Sequence, residues 1–261
     1  MKRNITQSEI KLFASLLQKK YRKQHSLFLV EGSKLIEEVL KSRYTTKKIL
    51  TTELYFSKYK SFFDLKKLDE IETLIVKEKD FLKISDTKNP QGIIGVCEFE
   101  TGKFFDVQTN RIIGLENISD PGNLGTIIRN CNWFGFDNII LSEQCAEVFS
   151  PKVLRASMGS VFHVNISMAN SFIERMKELK LDGFKIYVAD MKGENLYDKR
   201  MNVKSVLVLC NEANGPSKEI RELADGIITI PKYGQAESLN VASASAVILS
   251  HLAKIKLVKK T

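Results

Sequence analysis

The sequence predicts an α/β protein in which a small α/β domain precedes a larger domain built on a parallel sheet with helices on both faces. Beyond residue 110, short strands rich in Val and Ile alternate with helical segments, a pattern typical of such sheets. Residues 99–110 are polar and separate the two parts, which we place at residues 1–100 and 108–261. Residues 242–246 alternate Ala and Ser, which favours a final helix packed close to other backbone.

The elements of both parts follow from apolar periodicity. In the first part, helices are predicted at residues 6–20, 33–40 and 77–84, and strands at residues 27–32, 47–51, 72–76 and 93–98. In the second part, strands are predicted at residues 111–116, 138–141, 161–166, 184–189, 203–210 and 226–230, and helices at residues 124–134, 151–157, 169–179, 217–223 and 240–254.

Composition limits the partners and the compartment. The net charge of +9 favours a polyanionic partner such as nucleic acid or an anionic membrane surface, although a lysine-rich solubilising surface explains it equally well. The four cysteines lack the spacing of a zinc site or a disulfide framework, so we expect reduced thiols and no metal. Since no signal peptide and no membrane-spanning apolar run is evident, we expect a cytoplasmic protein without membrane contact.

Three polar loops follow strands of the second part, at residues 117–130, 210–217 and 230–240. Ligands of open α/β sheets bind beyond the carboxyl ends of the strands. The three loops together therefore predict one binding site at that edge of the sheet.

Four side chains of these loops carry suitable chemistry. Arg129 has the geometry to grip a phosphate, and Glu212 has the charge to orient it, while Ser238 and Asn240 can bond a substrate hydroxyl. Each also has a structural interpretation, for example Ser238 as a helix N-cap and Glu212 as a turn residue. Neither GxGxxG after a strand nor GxxxxGK[ST] is present, which disfavours ordinary dinucleotide-binding and P-loop enzymes.

Taken together, the loops resemble the three ordered motifs of the SpoU (TrmH) family of RNA ribose 2′-O-methyltransferases. The resemblance covers residues 111–255, with the motifs in the family's order and spacing. The matching residues are Asn123, Gly125 and Arg129 in the first motif, Asn211, Glu212 and Gly215 in the second, Ile230, Pro231, Ser238, Leu239, Asn240 and Val241 in the third, and Arg155, Ser157 and Gly159 in a further Arg-x-Ser-x-Gly segment.

The resemblance implies a fold and a cofactor. The C-terminal part of the sheet would be tied into a deep trefoil knot, through which two chains form a homodimer. Backbone at Cys210, Ile230 and Leu239 would cradle S-adenosylmethionine, and Gly215 would shape the loop. The position of Cys210 is usually glycine in the family. Because the implied contact is through backbone, we expect cofactor binding to survive the cysteine side chain.

The implied reaction is methyl transfer to a ribose 2′-hydroxyl of RNA, which needs no metal. Because arginine stays protonated in proteins, we expect Arg129 to grip a phosphate and stabilise charge on O2′, with a phosphate oxygen or water accepting the proton. Glu212 would hold the guanidinium of Arg129. Asn123 would fix the first loop, and Ser238 and Asn240 would orient the ribose.

Residues 19–40 and 89–98 resemble the substrate-binding module that precedes the catalytic domain in several family members and is similar to a small ribosomal RNA-binding protein. This resemblance favours ribosomal RNA over transfer RNA as the substrate. We expect basic residues to contact RNA phosphates, namely Lys19, Lys20, Arg22, Lys23 and Arg155, although any one of them is equally explained as a solvated surface charge.

Three alternatives stay open at this stage. They are transfer RNA as the substrate, a non-catalytic RNA-binding protein on the same fold, and methylation of a base instead of a ribose. The presence of Arg129 in the first motif and of Ser238-Leu239-Asn240 in the third favours ribose. Retention of the whole polar set argues against a pure binding protein, because binding alone does not require it.

Overall fold

The structure, a computed structural model, describes residues 2–59, 71–99, 110–199, 201, 203–211 and 214–258. The strands in this part of the chain are β1 Lys2–Asn4, β2 Leu27–Glu31, β3 Thr46–Thr52, β4 Glu72–Val76, β5 Ile93–Glu98, β6 Arg111–Glu116, β7 Asn138–Leu141, β8 Asn165–Met168, β9 Lys185–Asn195, β10 Ser205–Cys210 and β11 Gly226–Thr229. The α-helices are α1 Gln7–Ser15, α2 Lys19–His25, α3 Ser33–Leu40, α4 Glu53–Lys58, α5 Glu78–Ile84, α6 Pro121–Trp133, α7 Pro151–Ser157, α8 Phe172–Leu181, α9 Lys218–Leu223 and α10 Val241–Val258.

The chain divides into two units. The first unit contains Met1–Gly102 and Glu147–Phe162, and the second contains Lys103–Ala146 and His163–Thr261. This grouping differs from the predicted division at residues 1–100 and 108–261 in one segment, because Glu147–Phe162 packs within the first unit.

The first unit is built on a five-stranded sheet in the order β1-β4-β3-β5-β2. Strand β5 runs antiparallel to β2 and β3, and the other pairs are parallel. Helix α1 begins at a capping box between Thr6 and Glu9, and its Ile10 and Phe13 pack into the core. The sequence did not predict β1, α2 or α4, because segments this short and polar lack an apolar period to detect.

The Glu147–Phe162 segment is anchored in the first unit by charge and by aromatic packing. Arg22 is 3% exposed, and its guanidinium pairs with Glu147 and donates to the carbonyl of Leu16 at 2.7 Å. Two aromatic rings of the segment, Phe149 and Phe162, join one cluster with Phe28, Tyr44 and Phe99. At Gly159, which has φ +88°, an added Cβ would lie 2.7 Å from the Cβ of Glu38 in α3, so only glycine fits.

The second unit is built on a six-stranded parallel sheet in the order β11-β9-β10-β6-β7-β8. Side chains of a strand alternate between the two faces of its sheet. Ile112 and Val206 belong to a core cluster with Phe172 of α8, while the intervening Ile113 and Leu207 are also buried. Both faces are therefore covered, as the sequence predicts.

Helix α10 packs against α6 through its small residues. The Nδ2 group of Asn130 in α6 donates to the carbonyl of Ala242 at 3.0 Å and to Oγ of Ser245 at 2.9 Å. Ser245 is completely buried. The close approach predicted from the Ala/Ser run is thus confirmed at this contact, whereas the trefoil knot stays a prediction.

Two strands differ from their predicted bounds by more than two residues. The sequence predicts a strand at residues 161–166, but Ser160–Phe162 is a 3₁₀ helix and β8 runs over Asn165–Met168. Strand β9 continues to Asn195, and its pairing with β11 shifts register between Ile227 and Ile228. An added Cβ at Gly193 would lie 2.6 Å from the carbonyl carbon of Ile228, so this irregular pairing requires glycine.

Among the residues that the structure covers, no helix combines the length and the hydropathy needed to cross a bilayer. The same residues contain no group of three or more His, Cys, Asp or Glu side chains placed to hold a metal ion.

The buried ion pair of Arg22 and Glu147 predicts a large effect on stability. Replacing Glu147→Ala leaves the guanidinium of Arg22 buried without its carboxylate, so we expect the free energy of unfolding to fall by about 3 kcal/mol or more in urea titrations. Glu178→Ala is the matched control, because it removes an exposed carboxylate that pairs with Arg175, and we expect a change within about 0.5 kcal/mol. Equal effects of the two substitutions would contradict this assignment.

Candidate functional site

The site lies at the carboxyl edge of the parallel sheet, where β6 and β10 end together. These strands pair over their full length, so that Cys210 lies directly beside Glu116. The first and second polar loops leave the sheet from these two residues, and the third leaves from β11 at the same edge. Hydrogen bonds join both the second and the third loop to the first, as the sequence predicts for loops that meet beyond the strand ends.

The first loop is held by its own polar side chains. Asn117 has φ 58°, a left-handed conformation that Asn tolerates better than most residues. Its N–H donates to Oγ of Ser142 at 2.8 Å, and that hydroxyl donates back to Oδ1 of Asn117 at 2.9 Å. Asp120 then caps α6 by accepting from the N–H of Asn123 at 2.8 Å. This loop therefore has a defined shape before any ligand binds.

Asn240 joins the third loop to the first. Its Nδ2 group donates to Oδ1 of Asn123 at 2.9 Å. Its Oδ1 atom accepts from the N–H groups of Ala242 at 2.9 Å and Ser243 at 3.3 Å, so Asn240 is the N-cap of α10. The N-cap interpretation of Ser238 is wrong for this helix, and Ser238 is an exposed residue of the loop.

The second loop is fastened to the first at its start. The N–H of Asn211 donates to the carbonyl of Glu116 at 3.2 Å, and its Nδ2 group donates to the carbonyl of Asn117 at 3.2 Å. Gly215, with φ +63°, donates its N–H to the carbonyl of Asn211 at 2.9 Å. Glu212, the predicted partner of Arg129, lies outside the described residues.

Glu116 and Cys210 form a buried polar pair beneath this loop. Glu116 is 4% exposed, and its Oε2 atom accepts from the thiol of Cys210 at 3.3 Å and from the N–H of Ser217 at 3.1 Å. Burial raises the pKa of the Cys210 thiol, and the negative charge of Glu116 raises it further. Cys210 is therefore a protonated donor rather than a nucleophile.

Arg129 is exposed on α6, six residues beyond Asn123. Its position leaves the guanidinium accessible to a ligand. The structure thus places Asn123 and Asn240 in contact and leaves Ser238 and Arg129 exposed in the same unit.

The sequence predicts that backbone at Cys210, Ile230 and Leu239 holds the cofactor, and the surroundings of these residues suit that role. Residues 232–239 are all exposed and lie outside helices and strands, so a polar ligand could reach their amide and carbonyl groups. Leu239 is 51% exposed, Ile230 is half-buried, and Cys210 is buried at the end of its strand. Backbone donors and acceptors beside an apolar strand end fit an adenosyl group and a methionyl chain.

The predicted RNA-binding residues fall into two classes. Lys19, Lys20 and Lys23 are exposed on α2, as expected of phosphate ligands. The structure corrects the prediction for Arg22, whose buried guanidinium is committed to Glu147. Arg155 donates to Oδ2 of Asp86 at 2.6 Å, so RNA would have to compete with this partly exposed ion pair.

Sequence reasoning missed three polar residues of this edge. Glu116 directly follows the uncharged run Ile112–Leu115 of its strand, and this acidic ending is the signal that could have revealed it. Asp190 and Arg221 form an ion pair, and Nε of Arg221 donates to the carbonyl of Pro216 at 3.3 Å. Nothing in their spacing indicates that pair, because Asp190 and Arg221 are far apart in the chain.

Comparison with known proteins gives this arrangement a family. Residues 110–250 match the model of the SpoU rRNA Methylase family, and residues 7–95 match the model of the MRM3-like substrate binding domain. A relative from Bacillus subtilis (strain 168), 23S rRNA (guanosine(2553)-2′-O)-methyltransferase RlmP, is 33% identical over 94% of this chain and 95% of its own length.

Solved structures agree with this result. A TrmH-family putative RNA methyltransferase from Porphyromonas gingivalis is 30% identical, with a TM-score of 0.82 over 95% of this chain and 98% of that one. An AdoMet-bound rRNA methyltransferase from Sinorhizobium meliloti is 28% identical, with a TM-score of 0.82 over 98% of both chains. From its two family-model matches, its full-length relatives and its fold, this chain belongs to the SpoU rRNA methylase family.

Proposed function

We propose that this protein transfers the methyl group of S-adenosylmethionine to a ribose 2′-hydroxyl of RNA, and that the RNA is ribosomal. The observation that carries the proposal is the hydrogen bond between Asn240 and Asn123, because it joins two of the three motif loops at the carboxyl edge of the sheet. The names of similar proteins support ribosomal RNA, and the N-terminal match to a substrate-binding domain supports an RNA partner.

The cofactor would supply an electrophilic methyl group on a sulfonium sulfur. The residues of the chain have to position the ribose and hold the developing charge. Asn123 and Asn240 set the spacing between the first and third loops, and exposed Ser238 lies on the third loop, where its hydroxyl is available to the ribose. Holding the reacting groups in line supplies a large share of such a rate enhancement.

Arg129 is the group that we assign to the substrate phosphate. Its guanidinium stays protonated and presents several N–H donors, so it can bind a phosphate through two hydrogen bonds and stabilise charge on O2′. The proton of the 2′-hydroxyl would pass to a phosphate oxygen or to water. Glu212 remains our proposed partner for this guanidinium.

We also infer a homodimer formed through the second unit. The loop at residues 232–240 is exposed, with Tyr233 92% exposed, and Trp133 at the end of α6 is 79% exposed. Large exposed apolar side chains of this kind favour a protein partner, and a second copy would cover them.

The cytoplasmic location stays a prediction, and so does the preference for ribosomal over transfer RNA.

The proposal is tested by methyl transfer in vitro. Purified protein with tritiated S-adenosylmethionine is expected to label ribosomal RNA from a strain that lacks this gene, and not RNA from its parent. Nuclease digestion and mass spectrometry would then identify the product as a 2′-O-methyl nucleoside. Label in a base, or in transfer RNA alone, would replace the proposal by the corresponding alternative, and cofactor binding without transfer would indicate a binding protein.

Removing the Arg129 guanidinium tests its role at the reacting atoms. We expect Arg129→Ala to lower turnover by about 10²-fold or more, while the affinity for S-adenosylmethionine measured by calorimetry changes little. Arg129→Lys keeps the charge but loses bidentate geometry, so its turnover should be intermediate. Arg175→Ala is the control, because it removes another helical arginine of the same unit. Wild-type turnover in Arg129→Ala would refute the assignment.

The contact between Asn240 and Asn123 can be separated from the cap of α10. Asn240→Asp keeps an oxygen that caps the helix but replaces the donor to Asn123 by a second acceptor. We expect the helix to remain folded and turnover to fall about tenfold, the order of one lost hydrogen bond. Asn165→Asp is the matched control, because it breaks a second Asn–Asn hydrogen bond of the same unit, from Asn165 to Asn138, at the edge strand β8. If both variants lose activity equally per folded protein, the loop contact has no special role.

A further inference from the structure

Glu116 is a buried carboxylate with few partners. Both hydrogen bonds it receives end on Oε2, from the thiol of Cys210 and the N–H of Ser217. Among the described residues, none donates a hydrogen bond to Oε1 and no Lys, Arg or His forms an ion pair with this side chain. A carboxylate that is 4% exposed would ordinarily be paired with a cation, so the missing counter-charge needs an explanation.

The nearby charges do not supply it. The carboxylates of Glu116 and Asp190 raise the pKa of the Cys210 thiol, and the guanidinium of Arg221 lowers it. Arg221 is already paired with Asp190 and bonded to the carbonyl of Pro216. Among the described residues, Glu116 therefore keeps its negative charge without a cationic partner, next to Cys210.

We propose that Glu116 is a specificity-determining residue whose charge favours the cationic cofactor S-adenosylmethionine over its neutral-sulfur product, S-adenosylhomocysteine. This inference rests on the proposed function, which places the cofactor against the backbone of Cys210. The two molecules differ by a methyl group and by the positive charge that it gives the sulfur. A carboxylate fixed beside Cys210 would attract the sulfonium and would lose that attraction once the methyl group has left.

The size of the effect follows from Coulomb attraction. At an effective dielectric constant near 20, one unit charge several ångströms away changes a binding constant by about tenfold or more. Glu116 is too buried for water or salt to screen it fully. The carboxylate would therefore strengthen binding of S-adenosylmethionine and speed release of S-adenosylhomocysteine.

The test compares ligands that differ in charge. Calorimetry on the full-length protein would measure dissociation constants for S-adenosylmethionine, S-adenosylhomocysteine and sinefungin, an analogue with a cationic amine. We expect Glu116→Gln to reduce the preference for S-adenosylmethionine over S-adenosylhomocysteine about tenfold, with sinefungin following S-adenosylmethionine. Glu222→Gln is the matched control, because it makes the same charge change at an exposed site on α9 and should leave the preference unchanged.

The outcomes separate charge from positioning. An equal loss of affinity for all three ligands in Glu116→Gln would overturn the proposal and leave Glu116 with a structural role through Ser217. If that variant fails to fold, Glu116→Asp takes its place. This variant keeps the charge, so we expect its preference for S-adenosylmethionine over S-adenosylhomocysteine to stay within about twofold of wild type, even if all affinities fall. A loss of preference of about tenfold in Glu116→Asp would overturn the proposal. If the wild-type protein binds none of the ligands, the proposed function itself fails.

Discussion

The parallel pairing of β6 with β10 is the interaction on which the second unit depends. Six consecutive residue pairs bring the two strands to an end side by side, at Glu116 and Cys210. Because the backbone ladder sets this register, the loops that follow start a few ångströms apart and their amide groups can bond one another. Asn211 uses this proximity twice, once through its backbone and once through its side chain.

The polar residues at this edge separate into those that hold the loops and those that stay exposed. Both polar atoms of the Asn240 side-chain amide bond to the protein: Oδ1 caps α10, and Nδ2 donates to Asn123. We therefore assign Asn240 to the spacing of the loops. Ser238 and Arg129 are exposed and remain available to a substrate. Loops that are joined by hydrogen bonds and carry exposed polar side chains are suited to positioning a ribose and its phosphate.

The basic residues of helix α2 in the first unit likewise fall into two classes. Lys19, Lys20 and Lys23 of α2 face solvent, whereas Arg22 from the same short helix is buried against Glu147. Arginine suits the buried position because its planar donors satisfy the carboxylate and the carbonyl of Leu16 together. Consequently, the formal net charge of +9 includes at least one cation that serves packing instead of binding.

The sequence by itself determined the fold class, the order of most strands and helices, and the motif residues, because apolar periodicity and motif spacing are local properties of the chain. Only the tertiary structure decided which polar groups meet. It paired Arg22 with Glu147, moved the cap of α10 from Ser238 to Asn240, grouped Glu147–Phe162 with the first unit, and revealed the contact of Glu116 with Cys210. These contacts join residues that are mostly far apart in sequence, and a charge or an amide carries no local mark of the partner that it finds when the chain folds.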